Sequence, residues 1–91
     1  MLVAGLVAGE GCVDVVESEV DGALEREFSF ESFPAAIAFV NAVARIAERE
    51  NHHPHIAIDY RKVTLRWWTH SAGGITDRDR ELAALSASLV S

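Results

Sequence analysis

The apolar residues of this chain change period at Ser32. Before it, Leu24, Arg26, Phe28 and Phe30 alternate with Glu25, Glu27, Ser29 and Glu31. That period of two predicts an antiparallel strand with one buried face. After it, Phe33, Ile37, Val40, Ala44 and Ala47 recur at steps of three and four, and Phe39, Val43 and Ile46 widen the stripe. This is the spacing of an amphipathic helix. Ser32 is a good N-cap, and Pro34 falls in the first turn, where its missing N–H costs nothing. The helix is expected to run to about Asn51. Pro54 stops it, because the residue before a proline is pushed out of the helical region.

The same two periods organise the rest. Val13, Val15 and the acids that follow read as a first strand, and Asp21-Gly22 is a turn signal between two strand-like runs. Ile56, Ile58 and Tyr60 alternate with Ala57, Asp59 and Arg61. Val63, Leu65 and Trp67 alternate with Thr64, Arg66 and Trp68. Trp67 and Trp68 therefore face opposite ways, one into the core and the other onto an interface or a pocket wall. Gly73-Gly74 marks a loop, Thr76-Asp77-Arg78-Asp79 fits a capping box, and Leu82, Leu85 and Leu89 carry a last helical stripe. No repeat or low-complexity linker divides the chain. The reading is a single α+β domain over residues 1–91, in the order β-β-α-β-β-α. It predicts a four-stranded antiparallel sheet with helices packed on one face.

Composition narrows the role. The chain has 91 residues, 49% of them hydrophobic, which is ample for one core. A domain this small buries only about 60–65% of its unfolded surface and is marginal alone. Self-association as a homodimer or homotetramer is therefore expected. The net charge of −6 argues against nucleic acid, which selects basic surfaces, and against anionic membranes. Glu10, Asp14, Glu17, Glu19, Asp21, Glu25, Glu27 and Glu31 share their stretch with Arg26 alone and read as a solvated strand face. The one cysteine, Cys12, permits no internal disulfide and fits a reducing cytoplasm. The apolar start, Met1 to Gly9, lacks a basic flank and falls well short of the roughly 20 residues that span a bilayer. Residues 1–10 read as a poorly ordered or truncated start.

Chemistry concentrates in Glu48-Arg-Glu-Asn-His52-His53-Pro54. Glu48 and His52 are four apart, so on a continuing helix they share a face. The carboxylate and the negative end of the helix dipole would both favour imidazolium at His52. His53 precedes Pro54 and must be extended, so its ring leaves in another direction. A flat ligand could lie between or beside the two rings. His70 follows a strand and opens the Gly-rich loop, a place suited to a binding rim. Structural readings stand beside each of these: His52 as a helix cap, Asp79 as the residue that closes the capping box, Thr76 and the glycines as turn chemistry. Zinc is the rival for His52, His53, His55 and His70. Adjacent histidines rarely ligate one ion together, however, and converging spacings are missing. No metal is expected.

Taken jointly, Glu48, His52-His53-Pro54, Tyr60, His70 and Asp79 resemble the motif of the pterin-4a-carbinolamine dehydratases. Leu24-Glu-Arg-Glu-Phe28-Ser-Phe30 and Thr69-His70-Ser-Ala-Gly-Gly-Ile-Thr76 look like that family's second strand and site loop. The similarity runs from about residue 22 to 90. It implies the same α+β fold, with the family's extra first helix short or missing here. His55 and Ile56 stand where relatives often carry Glu and Trp. The implied activity is loss of water from 4a-hydroxytetrahydrobiopterin, giving quinonoid dihydropterin, with no cofactor. By similarity His52 and His70 transfer protons, and His53 binds and orients the pterin. Glu48 polarises His52, Asp79 supports the loop around His70, and Asn51, Trp68, Thr69 and Ser71 line the site. The alternative the family offers is a non-catalytic binding role, as a dimerisation cofactor of a transcription factor or an assembly chaperone.

Overall fold

The computed structural model describes residues 14–90. Cys12, Val13 and the apolar start lie outside the described residues. Strands β1 (Asp14–Val20), β2 (Ala23–Ser29), β3 (His55–Asp59) and β4 (Lys62–Trp67) form one antiparallel sheet in the order β1-β2-β4-β3. Helix α1 (Phe33–Glu50) joins its two hairpins, and α2 (Asp77–Ser88) follows a short 3-10 turn, His70–Ala72. The α+β sandwich expected from the two periods is the fold observed.

Local chemistry explains each junction. Asp21 and Gly22 both take positive φ, 50° and 77°, and close a two-residue hairpin between Val20 and Ala23. Only turns of that hand match the strand twist, and Asp-Gly suits them. The second hairpin corrects the sequence reading: β3 ends at Asp59, and Tyr60 turns the chain with φ 58° instead of extending the strand. Asp59 and Lys62 already pair, so Tyr60-Arg61 is all the loop there is. Ser32 caps α1 through its hydroxyl, which accepts from the Ala35 N–H at 3.2 Å.

Leu24 pairs with Trp67 and Phe28 with Val63, so these side chains share one sheet face with Leu65. Phe39, Val43 and Ile46 of α1 and Leu82 and Ala83 of α2 complete the core. Phe39 packs between Phe28 and Phe30, with ring centroids at 4.6 and 5.1 Å. Truncating such a residue to Ala costs about 3–5 kcal/mol. The buried stripe of α1 is rotated from the expected one. Ala36, Phe39, Ala42, Val43, Ile46 and Ala47 are buried, whereas Phe33 is 46% exposed and Ala44 is at the surface. Three alanines on the inner face let the helix approach the sheet closely. On α2 the inner face is Asp79, Leu82, Ala83 and Ser86, and Leu85 turns outward. No helix among the described residues is long and apolar enough to cross a membrane.

This arrangement brings the end of α1, the end of β4 and the start of α2 together. Arg78 ties the two helices: its Nη2 donates to the Glu50 carbonyl at 3.2 Å and to Glu50 Oε1 at 2.6 Å. A carbonyl left over at the end of α1 is thereby satisfied. The hydrogen bond from Arg78 is the main reason the Glu50 carboxyl lies below its ordinary value.

Candidate active site

Helix α1 does not carry its helical geometry as far as His52. Asn51 takes the left-handed conformation, φ 53° and ψ 44°. Its N–H donates to the Glu48 carbonyl at 3.3 Å, and the His52 N–H donates to the Ala47 carbonyl at 3.1 Å. These two bonds make the helix-ending motif in which a left-handed residue folds the chain back over the last turn. Asparagine is one of the few residues other than glycine that tolerates the position. The expected pairing of Glu48 with His52 is therefore not formed. With the chain turned at Asn51, Glu48 Oε2 meets His53 Nε2 instead, at 2.8 Å and near the surface.

His52 is paired with Asp79. Its Nε2 stands 2.6 Å from Asp79 Oδ1, and its ring lies parallel to that of buried Trp67, with centroids 6.2 Å apart. Asp79 is fully buried, and its other oxygen collects three donors: Thr69 Oγ1 at 2.8 Å, the Thr76 N–H at 2.9 Å and Thr76 Oγ1 at 3.0 Å. Burial is the largest single influence on Asp79 and pushes its carboxyl up. The hydrogen bonds from His52, Thr76 and Thr69 together outweigh it, so the net shift is below the ordinary 3.8. Asp79 is thus an ionised acceptor. It closes the cap of α2 through the Thr76 N–H while its outer oxygen holds an imidazole.

With Asp79 accepting, the proton on His52 resides on Nε2, and Nδ1 is the ring nitrogen left for other work. His53 is arranged in the same sense, with Nε2 toward Glu48. His70 opens the 3-10 turn and is exposed, its ring 5.2 Å from that of Trp68. The loop that carries it is pinned by Thr69 N–H to Gly74 O at 2.8 Å and Gly74 N–H to Thr69 O at 3.3 Å. Gly73, at φ 75°, makes the turn between them.

Asn51, His52, His53, Trp68, Thr69, His70 and Ser71 line one half-open cavity of 480 Å³. Glu48 and Asp79 do not line it; each stands behind an imidazole. Trp67 is buried and Trp68 forms part of the cavity wall, which divides the two tryptophans between the roles expected of them. The sequence reading gave Thr76 no more than turn chemistry, yet its N–H and hydroxyl both hold Asp79. The sequence signal was the capping box itself, since its acid is bound to face the residue that caps. Among the described residues, no three His, Cys, Asp or Glu side chains group as a metal would require.

The geometry is that of a small α+β domain with three imidazoles round a cavity between the ends of α1 and β4. A family model, pterin 4 alpha carbinolamine dehydratase, matches residues 15–89, and the chain belongs to that family. Relatives named for the same dehydratase include a protein of Gloeobacter violaceus, 55% identical over 69 residues, covering 74% of this chain and 75% of that one. Another, from Nocardia farcinica, is 57% identical over 60 residues, covering 66% of this chain and 63% of the relative. For some relatives the match spans little more than half their length, 55% in Marinobacter nauticus. Among solved structures, a transcriptional coactivator/pterin dehydratase from Brucella melitensis superposes with a TM-score of 0.78 at 31% identity, over 82% of each chain. A pterin dehydratase-like RuBisCO assembly factor of the alpha-carboxysome shares the fold, with a TM-score of 0.68 at 23% identity, over 86% of this chain and 90% of that one.

Proposed function

We propose that this protein dehydrates 4a-hydroxytetrahydropterins to quinonoid dihydropterins by histidine acid–base chemistry. The observation that carries the reading is the pairing of His52 with a buried, ionised Asp79 at the wall of a cavity that His53 and His70 also line. The reaction needs two proton movements. The 4a-hydroxyl leaves as water once an acid protonates it, and a base takes the proton from the ring nitrogen as the C=N bond forms.

His52 suits the base. Asp79 fixes its tautomer and would stabilise the imidazolium formed when Nδ1 takes a proton, as a carboxylate does behind a catalytic histidine. His70, exposed and able to exchange protons with solvent, suits the acid. His53, steadied by Glu48, orients the pterin, with Trp68 as a flat wall and Asn51, Thr69 and Ser71 offering polar groups at the edge. No step calls for a metal or an organic cofactor. The same reading has the protein working in the cytoplasm as a homodimer or homotetramer.

The test is a stopped-flow assay on chemically generated 4a-carbinolamine. His52→Ala and His70→Ala are each expected to slow dehydration by roughly 10²–10⁴-fold. If the double variant matches the wild type, the enzyme reading fails and a binding role takes its place.

A further inference from the structure

Strand β4 turns Val63, Leu65 and Trp67 to its buried face, and Trp67 is the last residue of the strand. The first two are aliphatic and fill the core. The third is an indole, fully buried at the end of the sheet, and its Nε1 has no hydrogen-bond partner among the described residues. A buried tryptophan usually finds an acceptor for that N–H. What this one offers its surroundings is its flat face. The His52 imidazole lies parallel to it, with the planes 5° apart and the centroids at 6.2 Å, an offset stack.

That stack supplies a restraint that Asp79 does not. The bond from His52 Nε2 to Asp79 Oδ1, 2.6 Å long, sets the tautomer and holds one vertex of the ring. It holds the plane of the ring less well. An imidazole turns about its Cβ–Cγ bond, and Nε2 lies nearer to that axis than Nδ1 does. A turn of the ring therefore moves Nδ1 further than it moves the bonded nitrogen. The torsion itself is broad for histidine and adds no stiffness of its own. The only aromatic face recorded beside this ring among the described residues is that of Trp67.

We infer that Trp67 is a positioning residue for His52: its indole fixes the plane of the imidazole and so keeps Nδ1 aimed at a bound pterin. The effect on rate rests on the dehydratase reading, whereas the order of the ring does not. Two variants test both. Trp67→Phe keeps a flat face, Trp67→Leu fills the core without one, and both remove the unpartnered N–H. In stopped-flow assays on the carbinolamine, kcat is expected to stay within about threefold of wild type in Trp67→Phe and to fall roughly tenfold or more in Trp67→Leu, the scale of a misaimed catalytic group. KM should hold in both, since His53 and Trp68 are untouched. In parallel, ¹³C relaxation of the His52 ring should show it ordered in wild type and Trp67→Phe and mobile in Trp67→Leu. Ring-nitrogen shifts should still place the proton on Nε2 in all three. Should Trp67→Leu not fold, Trp67→Met, flexible and equally without a flat face, takes its place with the same expectation. A ring as ordered without the aromatic face as with it overturns the inference, and so does a kcat that falls alike in Trp67→Phe and Trp67→Leu. A His52 ring already mobile in the wild type overturns it whatever the variants do. If the wild-type protein does not turn over the carbinolamine, the dehydratase reading fails, and the relaxation comparison alone decides whether Trp67 orders the ring.

Discussion

His52 and Asp79, 27 residues apart in the chain, meet at 2.6 Å where the end of one helix faces the start of the other. Neither is placed by the other's element. His52 is presented by the left-handed turn at Asn51, and Asp79 by the capping box that begins α2. The contact therefore links the two helix termini, and the Arg78–Glu50 bond beside it fixes the same junction. Geometry at the imidazole depends on three separate local motifs being right.

Asp79→Asn tests that dependence. The amide keeps the shape but loses the charge, and its NH₂ must face one of the donors now pointing at a carboxylate. The dehydration rate is expected to fall by roughly 10²-fold or more, as when the carboxylate behind a catalytic histidine is neutralised. Unfolding in urea should show a loss of about 1–3 kcal/mol, the cost of leaving a buried donor unsatisfied. A variant with wild-type kcat would confine Asp79 to capping.

Acid stability follows from the same carboxylate. Its pKa is depressed in the folded state, so the unfolded chain binds the proton more readily. The stability it contributes is fully present above the unfolded value, near 3.8, and is lost as pH falls through the lower folded value. Wild-type protein should lose stability over that interval, while Asp79→Asn, with nothing to titrate there, should show a flatter acid limb. The measurement is urea unfolding of both proteins at steps from pH 5 down to about pH 2. Parallel curves would mean that the hydrogen bonds do not favour the ionised form.

Elements with a local cause were legible in the sequence, and contacts between elements were not. The alternation through Phe28 and the cap at Ser32 located β2 and the start of α1, because strand period and capping are each decided within a few residues. Opposite faces for Trp67 and Trp68 followed from the strand period. The partner of His52 did not, because the spacing of Glu48 and His52 has meaning only while the helix continues. One positive φ at Asn51 cancels it. An Asn before His-His-Pro is a recognisable helix stop, and reading it so would have freed Glu48 for His53. The rotation of α1 that exposes Phe33 depends on which residues of the sheet lie beneath the helix, and the helical period carries no record of that.

Glu48→Gln separates the two pairings. On the helical reading it would disturb His52 and with it proton transfer. In the structure Glu48 touches His53, and both are exposed. The variant should therefore raise KM for the carbinolamine by a few-fold, leave kcat close to wild type and keep the same midpoint in urea, since exposed ion pairs contribute little. A fall in kcat with KM unchanged would restore Glu48 to His52.

Asn51 offers the test of how the turn positions the histidines. Its φ of 53° is strained for a residue with a Cβ unless the side chain is Asn or Asp, and free for glycine. Asn51→Gly should leave stability near that of the wild type or slightly above it. Asn51→Ala should lose about 1–2 kcal/mol, because alanine must either accept the left-handed conformation or unwind the bonds from residues 51 and 52 back to Glu48 and Ala47. The catalytic consequences should part in the same order. If the turn aims His52 at Asp79, Asn51→Gly retains most of kcat, whereas Asn51→Ala loses at least tenfold at temperatures where it is still folded. Paired urea curves and single-turnover rates on both variants make the measurement. Should Asn51→Gly fall as far as Asn51→Ala, the amide of Asn51 itself acts in the cavity it lines, and the backbone turn is not what governs the rate.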